Sequence, residues 1–557
     1  MKQTSIRILS VSILSAALAA GSAYAGYNGK GGVDDGSAIT ASELTLNGYQ
    51  FPNELVANAS QTQLANHAWR LFIAANQPTT ATLQSGAGRT KPDATRNFND
   101  TDGYQPQANP TVWQSFYHRA EAFPYYKADG TKPNSPANQT PTYYYYLGES
   151  NNNRTATQKV ITGANYVNLD ENNQVSQNML YYSHGNDPDF PVLFMAKVND
   201  VELNYVWDIN APRFAPSSLE FPHPVVTGDQ ASTVSTIEVK SAWRRVSDMK
   251  NVDPTKFHQV EATYYMGNAE DYAPVTDKFA LIALHIIQKT NNYQTFIFTT
   301  FEHVDAVVTS EGKIIDPEID LSYTTLAYGD DSPAQTNAYG AYSVNASGQS
   351  GAANVRTDYT LPAAGAADDS RFPVKRLKTI SAEVNDVNNQ VAALMPADSV
   401  WRNYRLKGVQ AVPTSYPDNN GTVPLDYYLA NIVVESSQPG LQLFTGTVVN
   451  PNESNQETFT NNRALPGNDK GAAGPNVSPA PQNNTIGAAK WTMGGCMGCH
   501  GNAQVAGQDM SFLGFGIGGN GFFVDPVASS DLTQKEREAY YDDLMNRKAT
   551  SLQQSMK

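Results

Sequence analysis

The chain holds only two cysteines in 557 residues, Cys496 and Cys499. An exported protein normally uses cysteines to cross-link distant segments. A pair two residues apart cannot do that, so these two are committed to some other chemistry. Charge is sparse as well. Only 16% of residues are charged, and 38 Lys and Arg stand against 53 Asp and Glu, a formal net charge of −15 that becomes −17 without the two cations Lys2 and Arg7. That balance repels nucleic acid and anionic lipid, so neither is expected as a partner, and the acidity reads as a solubility feature. Long apolar runs are missing too. The longest beyond the N terminus, Phe279 to Ile287, contains His285 and has the length of a buried strand, whereas a bilayer span needs ~20 apolar residues. No membrane association beyond a peripheral one is expected. No internal repeat is visible.

At the N terminus, Met1 to Arg7 is basic, Ile8 to Ala20 is largely apolar, and Ala23-Tyr24-Ala25 presents small residues. This is the pattern of a secretory signal peptide over 1–25, which predicts a periplasmic or extracellular mature protein. Residues 26–60, Gly- and Asp-rich at their start, read as a flexible lead-in. Leu64, Ala68, Leu71 and Phe72 lie at helical spacing from Gln61 onward, with Pro78 closing the run. Strand signals dominate afterwards: Tyr143 to Tyr146, Pro191 to Ala196, Ser235 to Lys240, and a hairpin of Phe279–Lys289 with Gln294–Val304 around Asn291-Asn292. The organisation expected is a strand-rich α+β body over 61–325, a long loop over 326–375 and a second strand-rich lobe over 376–460, with strands at Ser399–Val409 and Leu425–Val434. A Pro-, Asn- and Gly-rich linker over 461–489 and a short C-terminal segment over 490–557 follow. Asp531 and Gln534 mark a capping box for a last helix.

That C-terminal segment contains Cys496-Met497-Gly498-Cys499-His500. The spacing C-x-x-C-H suits covalent attachment of one haem c. Two thiols add across the two vinyl groups, two intervening residues put both sulfurs on one edge of the ring, and the adjacent histidine becomes the proximal iron ligand. Gly494, Gly495, Gly498 and Gly501 let backbone lie close to a flat macrocycle. A thioredoxin-like dithiol would want a strand–helix context that these glycines do not provide, and a zinc site would want a second Cys/His pair.

The motif resembles that of the c-type cytochromes. More widely, the chain resembles a group of large secreted bacterial single-haem proteins with a C-terminal CxxCH motif. The residues carrying this are Gly494 to Gly501 with Ala503-Gln504, Leu284-His285-Ile286 with Thr300 to Asp305, and Tyr428-Leu429-Ala430-Asn431. The resemblance implies haem binding and redox work; it supplies no substrate.

The sixth iron position separates an electron carrier from a haem enzyme. Met510, ten residues past the motif, has an extended reach of about 33 Å. Met545 lies in the expected last helix, where packing is its natural role, and Met493 precedes the motif. His285 and His303 both sit on the expected hairpin. With a two-residue turn at Asn291-Asn292, His285 faces Phe298, His303 faces Ala280, and the two project to opposite sides of the sheet. His285 then shares its face with Phe296, Phe298 and Glu302, an apolar wall suited to haem. His67, His118, His184, His223 and His258 have less context. Three functions follow: electron transfer with a redox protein partner or small-molecule oxidant, a haem enzyme of oxygenase or peroxidase type with an open distal site, or a redox-sensing or binding protein with structural haem.

Overall fold

The computed structural model describes residues 27–83, 86–101, 110–123, 140–147, 157–162, 165–172, 190–208, 219–227, 230–231, 234–249, 252–268, 271–306, 380–414, 445–450, 489–505, 509–513 and 524–528, with single positions between 429 and 434 and between 532 and 540. The expected signal segment 1–25, the loop 326–375 and Met545 lie outside them, as does nearly all of the linker 461–489.

Helix α1, Gln61–Ala75, starts where its polar residues dictate. The Gln63 amide donates to the Ser60 hydroxyl at 3.3 Å and the Ser60 amide donates to Gln63 Oε1 at 2.9 Å, satisfying two orphan donors reciprocally. Strands form at 193–198, 236–245, 272–289, 297–303 and 404–410, whereas Val400–Asn403 is a 3-10 turn and most of the expected strand 425–434 lies outside the described residues. In chain order the sheet comprises β1 (Tyr117–His118), β2 (Leu193–Val198), β3 (Thr236–Arg245), β4 (Gln259–Gly267), β5 (Tyr272–Lys289), β6 (Ile297–His303) and β7 (Tyr404–Gln410). They pair in the order β7-β6-β5-β3-β2-β1, all antiparallel, with β4 on the first half of β5 and Asn168–Leu169 parallel to β4. Helices α1, α2 (Asp200–Asp208) and α3 (Ala382–Leu394) complete an α+β architecture. Among the described residues no helix is long and apolar enough to cross a membrane.

Both faces of the sheet are covered, which explains its apolar strands. Leu284, Ile286, Phe301 and Leu406 pack on one side with Trp69, Phe72 and Val387 of α1 and α3. The Phe72 ring lies 4.5 Å from Phe301 and 5.6 Å from Trp401, contacts each worth about 0.5–1.5 kcal/mol beyond area burial. Ala196, Val198, Ile287 and Phe298 project from the opposite side, against Met493, Met497, Met510 and Leu513 of the C-terminal segment.

Three expectations need correction. Residues 404–410, assigned to a second lobe, are an edge strand of the body's own sheet, and Ala382–Leu394 in that lobe is a helix packed on α1. The hairpin turn is longer than Asn291-Asn292: it runs to Phe296, at φ +64°, while the Glu54 carboxylate accepts the Asn291 and Asn292 amides at 2.7 and 3.3 Å. His285 therefore pairs with Thr300 and not with Phe298. The shift is two residues, so every side chain keeps its expected face. The tyrosine run forms a strand, Thr142–Leu147, with Tyr143 and Tyr145 buried and Tyr144 only partly so.

The third correction concerns the lead-in. Described residues 27–60 are bound to the body through buried ions. Arg70 on α1 donates to Asp34 at 2.9 Å and to Glu43 at 2.9 Å, His67 Nδ1 lies 2.8 Å from Asp34, and Tyr49 donates to Glu43 at 2.8 Å. The hydrogen bond from His67 and the Arg70 guanidinium hold the Asp34 carboxyl below the usual range against burial. Asp34→Ala leaves Arg70 and His67 buried beside one anion fewer, and a loss of about 3–5 kcal/mol is expected in urea unfolding. A change below about 1 kcal/mol would show that the network only tethers the segment.

Candidate haem site

The motif lies on helix α4, Gly495–Val505, directly after strand β9 (Ala489–Gly494), which pairs antiparallel with β8 (Thr445–Asn450). Helical spacing places Cys496, Cys499 and His500 at i, i+3 and i+4, on one face of α4. Both cysteines are present as thiols and partly exposed.

The body positions this helix at its first turn, where amides lack intrahelical partners. Gln410, the last residue of β7, accepts the Met497 amide through Oε1 at 2.8 Å. The Leu429 carbonyl accepts the Cys496 amide at 2.9 Å and the Cys496 thiol at 3.2 Å. Leu429 rests on Gly408, where an added Cβ would meet its Cδ1 at 2.8 Å, and Asn431 donates to Thr300 Oγ1 at 2.8 Å. At the far end Gln504 exchanges two hydrogen bonds with the Val449 backbone, at 2.7 and 2.8 Å. The sequence patches around His285, Thr300, Leu429 and the motif are thus one contiguous site. Gly495 is required by this docking and not by a macrocycle: its φ is +69°, and a Cβ there would lie 2.3 Å from Leu429 N.

His500 is oriented from behind. Its Nδ1 donates to the Met510 carbonyl at 2.5 Å, which leaves Nε2 as the nitrogen with a lone pair to offer. The Phe298 and Phe512 rings flank the imidazole at 4.9 and 4.8 Å. Burial lowers its pKa to about 4, against the opposing pull of the Met510 bond and with help from the His285 and Lys240 charges. The imidazole is therefore neutral at pH 7, as a metal ligand must be. Asp509 and Met510 both adopt left-handed backbone, at φ +47° and +67°, which costs about 1 kcal/mol or more per residue. Asp509 anchors that turn by accepting Lys289 Nζ at 2.6 Å and the Phe221 amide at 2.6 Å.

The other candidates fall in distinct places. His285, half-buried on β5, shares the sheet face of Phe298 and sits near enough to His500 for its charge to act there. His303 projects from the other face, stacked at 3.5 Å on Phe257, with Nε2 3.0 Å from the Lys256 carbonyl and Nδ1 accepting the Asp305 amide. Both its nitrogens are engaged away from the motif. Met510 lies behind the imidazole, on the side of its outer nitrogen, and Met493 is buried in β9 within the cluster under α4. Gln410, Leu429 and Lys289 are site residues that sequence reasoning missed; Leu429 and Lys289 fell within stretches singled out there, with no role assigned, and Gln410 did not.

The arrangement suits one chemistry better than its rivals. Reactive dithiols need electropositive surroundings that favour thiolate, whereas Cys496 points its S–H at a carbonyl. Among the described residues no group of three or more His, Cys, Asp or Glu side chains is placed to hold a metal ion directly. No family model, curated protein or solved structure matches this chain. The reading of the site rests on its geometry.

Gly495→Ala tests that geometry. The methyl collides with the Leu429 backbone in a conformation L-residues avoid, so a loss of about 2 kcal/mol or more is expected in chemical denaturation. An unchanged midpoint would mean that the helix start tolerates displacement from Gln410 and Leu429.

Proposed function

We propose that the chain is an exported single-haem c-type cytochrome that transfers electrons outside the cytoplasm, between a redox protein partner or small-molecule oxidant and a second partner. The observation that carries this is the His500 clamp. A neutral imidazole with Nδ1 tied to a backbone carbonyl and Nε2 left to ligate, one residue from a thiol and on the same helical face as two, is a ligand set for covalently attached haem. Cys496 and Cys499 would hold the group and His500 would ligate its iron. When bound, it supplies a one-electron iron couple. The chain's own part is to fix the proximal ligand, and the rigid left-handed turn at Asp509-Met510 does so without reorganisation.

His285 is the sixth ligand this reading favours. It is the diagonal neighbour of Phe298 across β5 and β6, and Phe298 touches His500. With both histidines holding the group, its iron would be low-spin and closed to substrate, which suits electron transfer. Export is part of the proposal, carried by the basic, apolar and small-residue pattern of 1–25.

Acid–acetone extraction decides the attachment: haem should stay with the protein, and Cys496→Ala with Cys499→Ala should release it. Haem that extracts freely from the unaltered chain ends the reading. The ferrous spectrum should be low-spin and unreactive to carbon monoxide at neutral pH, and His285→Ala should turn it high-spin. A high-spin spectrum before substitution would favour the haem enzyme with an open distal site.

A further inference from the structure

One row of side chains crosses six strands on the face that receives α4: Gln410, Phe298, Ile287, Glu238, Val198 and Tyr117. Five of them cap, pack or line. Glu238 is a buried carboxyl in mid-sheet, and a buried acid needs a partner. What stands beside it is a second buried acid, Glu202 in the first turn of α2, brought to β3 where the Asn199 amide donates to the Ile237 carbonyl at 3.0 Å. Neither oxygen of Glu202, nor Oε1 of Glu238, receives an N–H or O–H from any of the described residues. Two buried carboxylates side by side with no donor to offset them repel strongly, so the pair holds a proton.

The surroundings hold the proton in place. Asp509 adds a third acid whose charge acts on both, and Lys289 is bound to Asp509 at 2.6 Å. Glu220 faces Asp509 from outside. Along β3, Lys240 is held by Glu171 at 3.1 Å, and along α2 Asp200 is itself raised by burial. Burial and Asp509 push Glu238 up to about 8, against the Ser511 and Glu202 contacts, and burial with Glu238 and Asp509 pushes Glu202 well above the carboxylate range. The remaining contact of Glu238 is the Ser511 hydroxyl. Asp509 and Ser511 flank Met510, so the acid pair touches one neighbour of the residue whose carbonyl orients His500 and acts by charge on the other.

We propose that the Glu202–Glu238 pair is a proton-binding site linked to the oxidation state at His500, taking up one proton from water when the site gains an electron and releasing it when the electron leaves. This rests on the haem reading above. The electron comes from an external one-electron donor, the only bond formed is the carboxyl O–H, and the local charge is unchanged by the combined event. The haem-free pair keeps its proton to about pH 8; the positive charge of the oxidised group would draw that value down and the electron would restore it, so release and uptake fall below pH 8.

Two measurements on the full chain separate this proposal from the reading beneath it. The first uses haem-free protein. The folded pair keeps its proton to about pH 8 and the unfolded chain loses it near 4.5, so stability from this source is complete below 4.5 and is lost as pH rises toward 8. The unaltered chain should lose stability over that window and show a protonated-carboxyl infrared band at pH 7. Glu238→Gln, or Glu202→Gln if the first does not fold, should flatten the profile and remove the band. The second uses haem-loaded protein. Its midpoint potential should fall with pH below about 8, approaching a tenfold change in equilibrium constant, or 59 mV, per unit, and the Gln variant should abolish the slope. No infrared band, or a Gln profile identical to the unaltered one, overturns the shared proton. A band with a flat potential overturns the linkage and leaves the haem reading standing. Failure of haem to attach overturns both.

Discussion

The Met497 amide has no carbonyl behind it within its own helix, and the site is where it is because Gln410 supplies the acceptor from the end of a strand 87 residues earlier. Leu429 does the same for Cys496. Together these bonds cap the first turn of α4 and fix its rotation, which decides where the thiol-bearing face points. A helix this short would be marginal in isolation. Docked at its start on the sheet and at Gln504 on β8, it becomes a rigid mount. Gly408 and Gly495 are the concessions that allow the approach, one admitting the Leu429 side chain and the other its backbone.

Everything at His500 follows from that mount. The imidazole is turned by a carbonyl in a strained two-residue stretch, and the strain is held by Asp509 between Lys289 and the Phe221 amide. Strain of this kind persists only where the surroundings over-determine it. Here they do so with charge, since Asp509 is held by Lys289 beside two further buried acids, Glu202 and Glu238, so the residues that orient His500 lie in an electrostatically loaded part of the interior.

Much of this was legible in the sequence, and the failures have physical reasons. The spacing of the motif is local chemistry and needs no fold to be read. The hairpin faces were legible even though the turn was misjudged, because a two-residue slip leaves alternation intact. The lead-in was not, because Gly and Asp describe local freedom, whereas its order depends on Arg70 and His67 in a helix more than thirty residues away. Ile237-Glu238-Val239 shows why the acid pair stayed hidden. An acid between two β-branched residues is the signature of a strand with one wet face, and nothing local says that α2 and the 509–513 segment cover that face. Gln410 carried no pattern at all, being one amide at a strand end.

The distances along the chain between the parts of the site set an order of assembly. Lys289 and Asp509 are 220 residues apart, and Phe298 and His500 nearly as far. Closing such loops adds little to the equilibrium cost, since loop entropy grows only with the logarithm of length, but it slows the search. A chain emerging from its N terminus completes β2 to β7 long before the cysteines appear. During that interval the Met493, Met497, Met510 and Leu513 side chains that pack on the Ile287 and Phe298 face are still missing. Docking of the C-terminal segment is therefore a late step that the topology imposes.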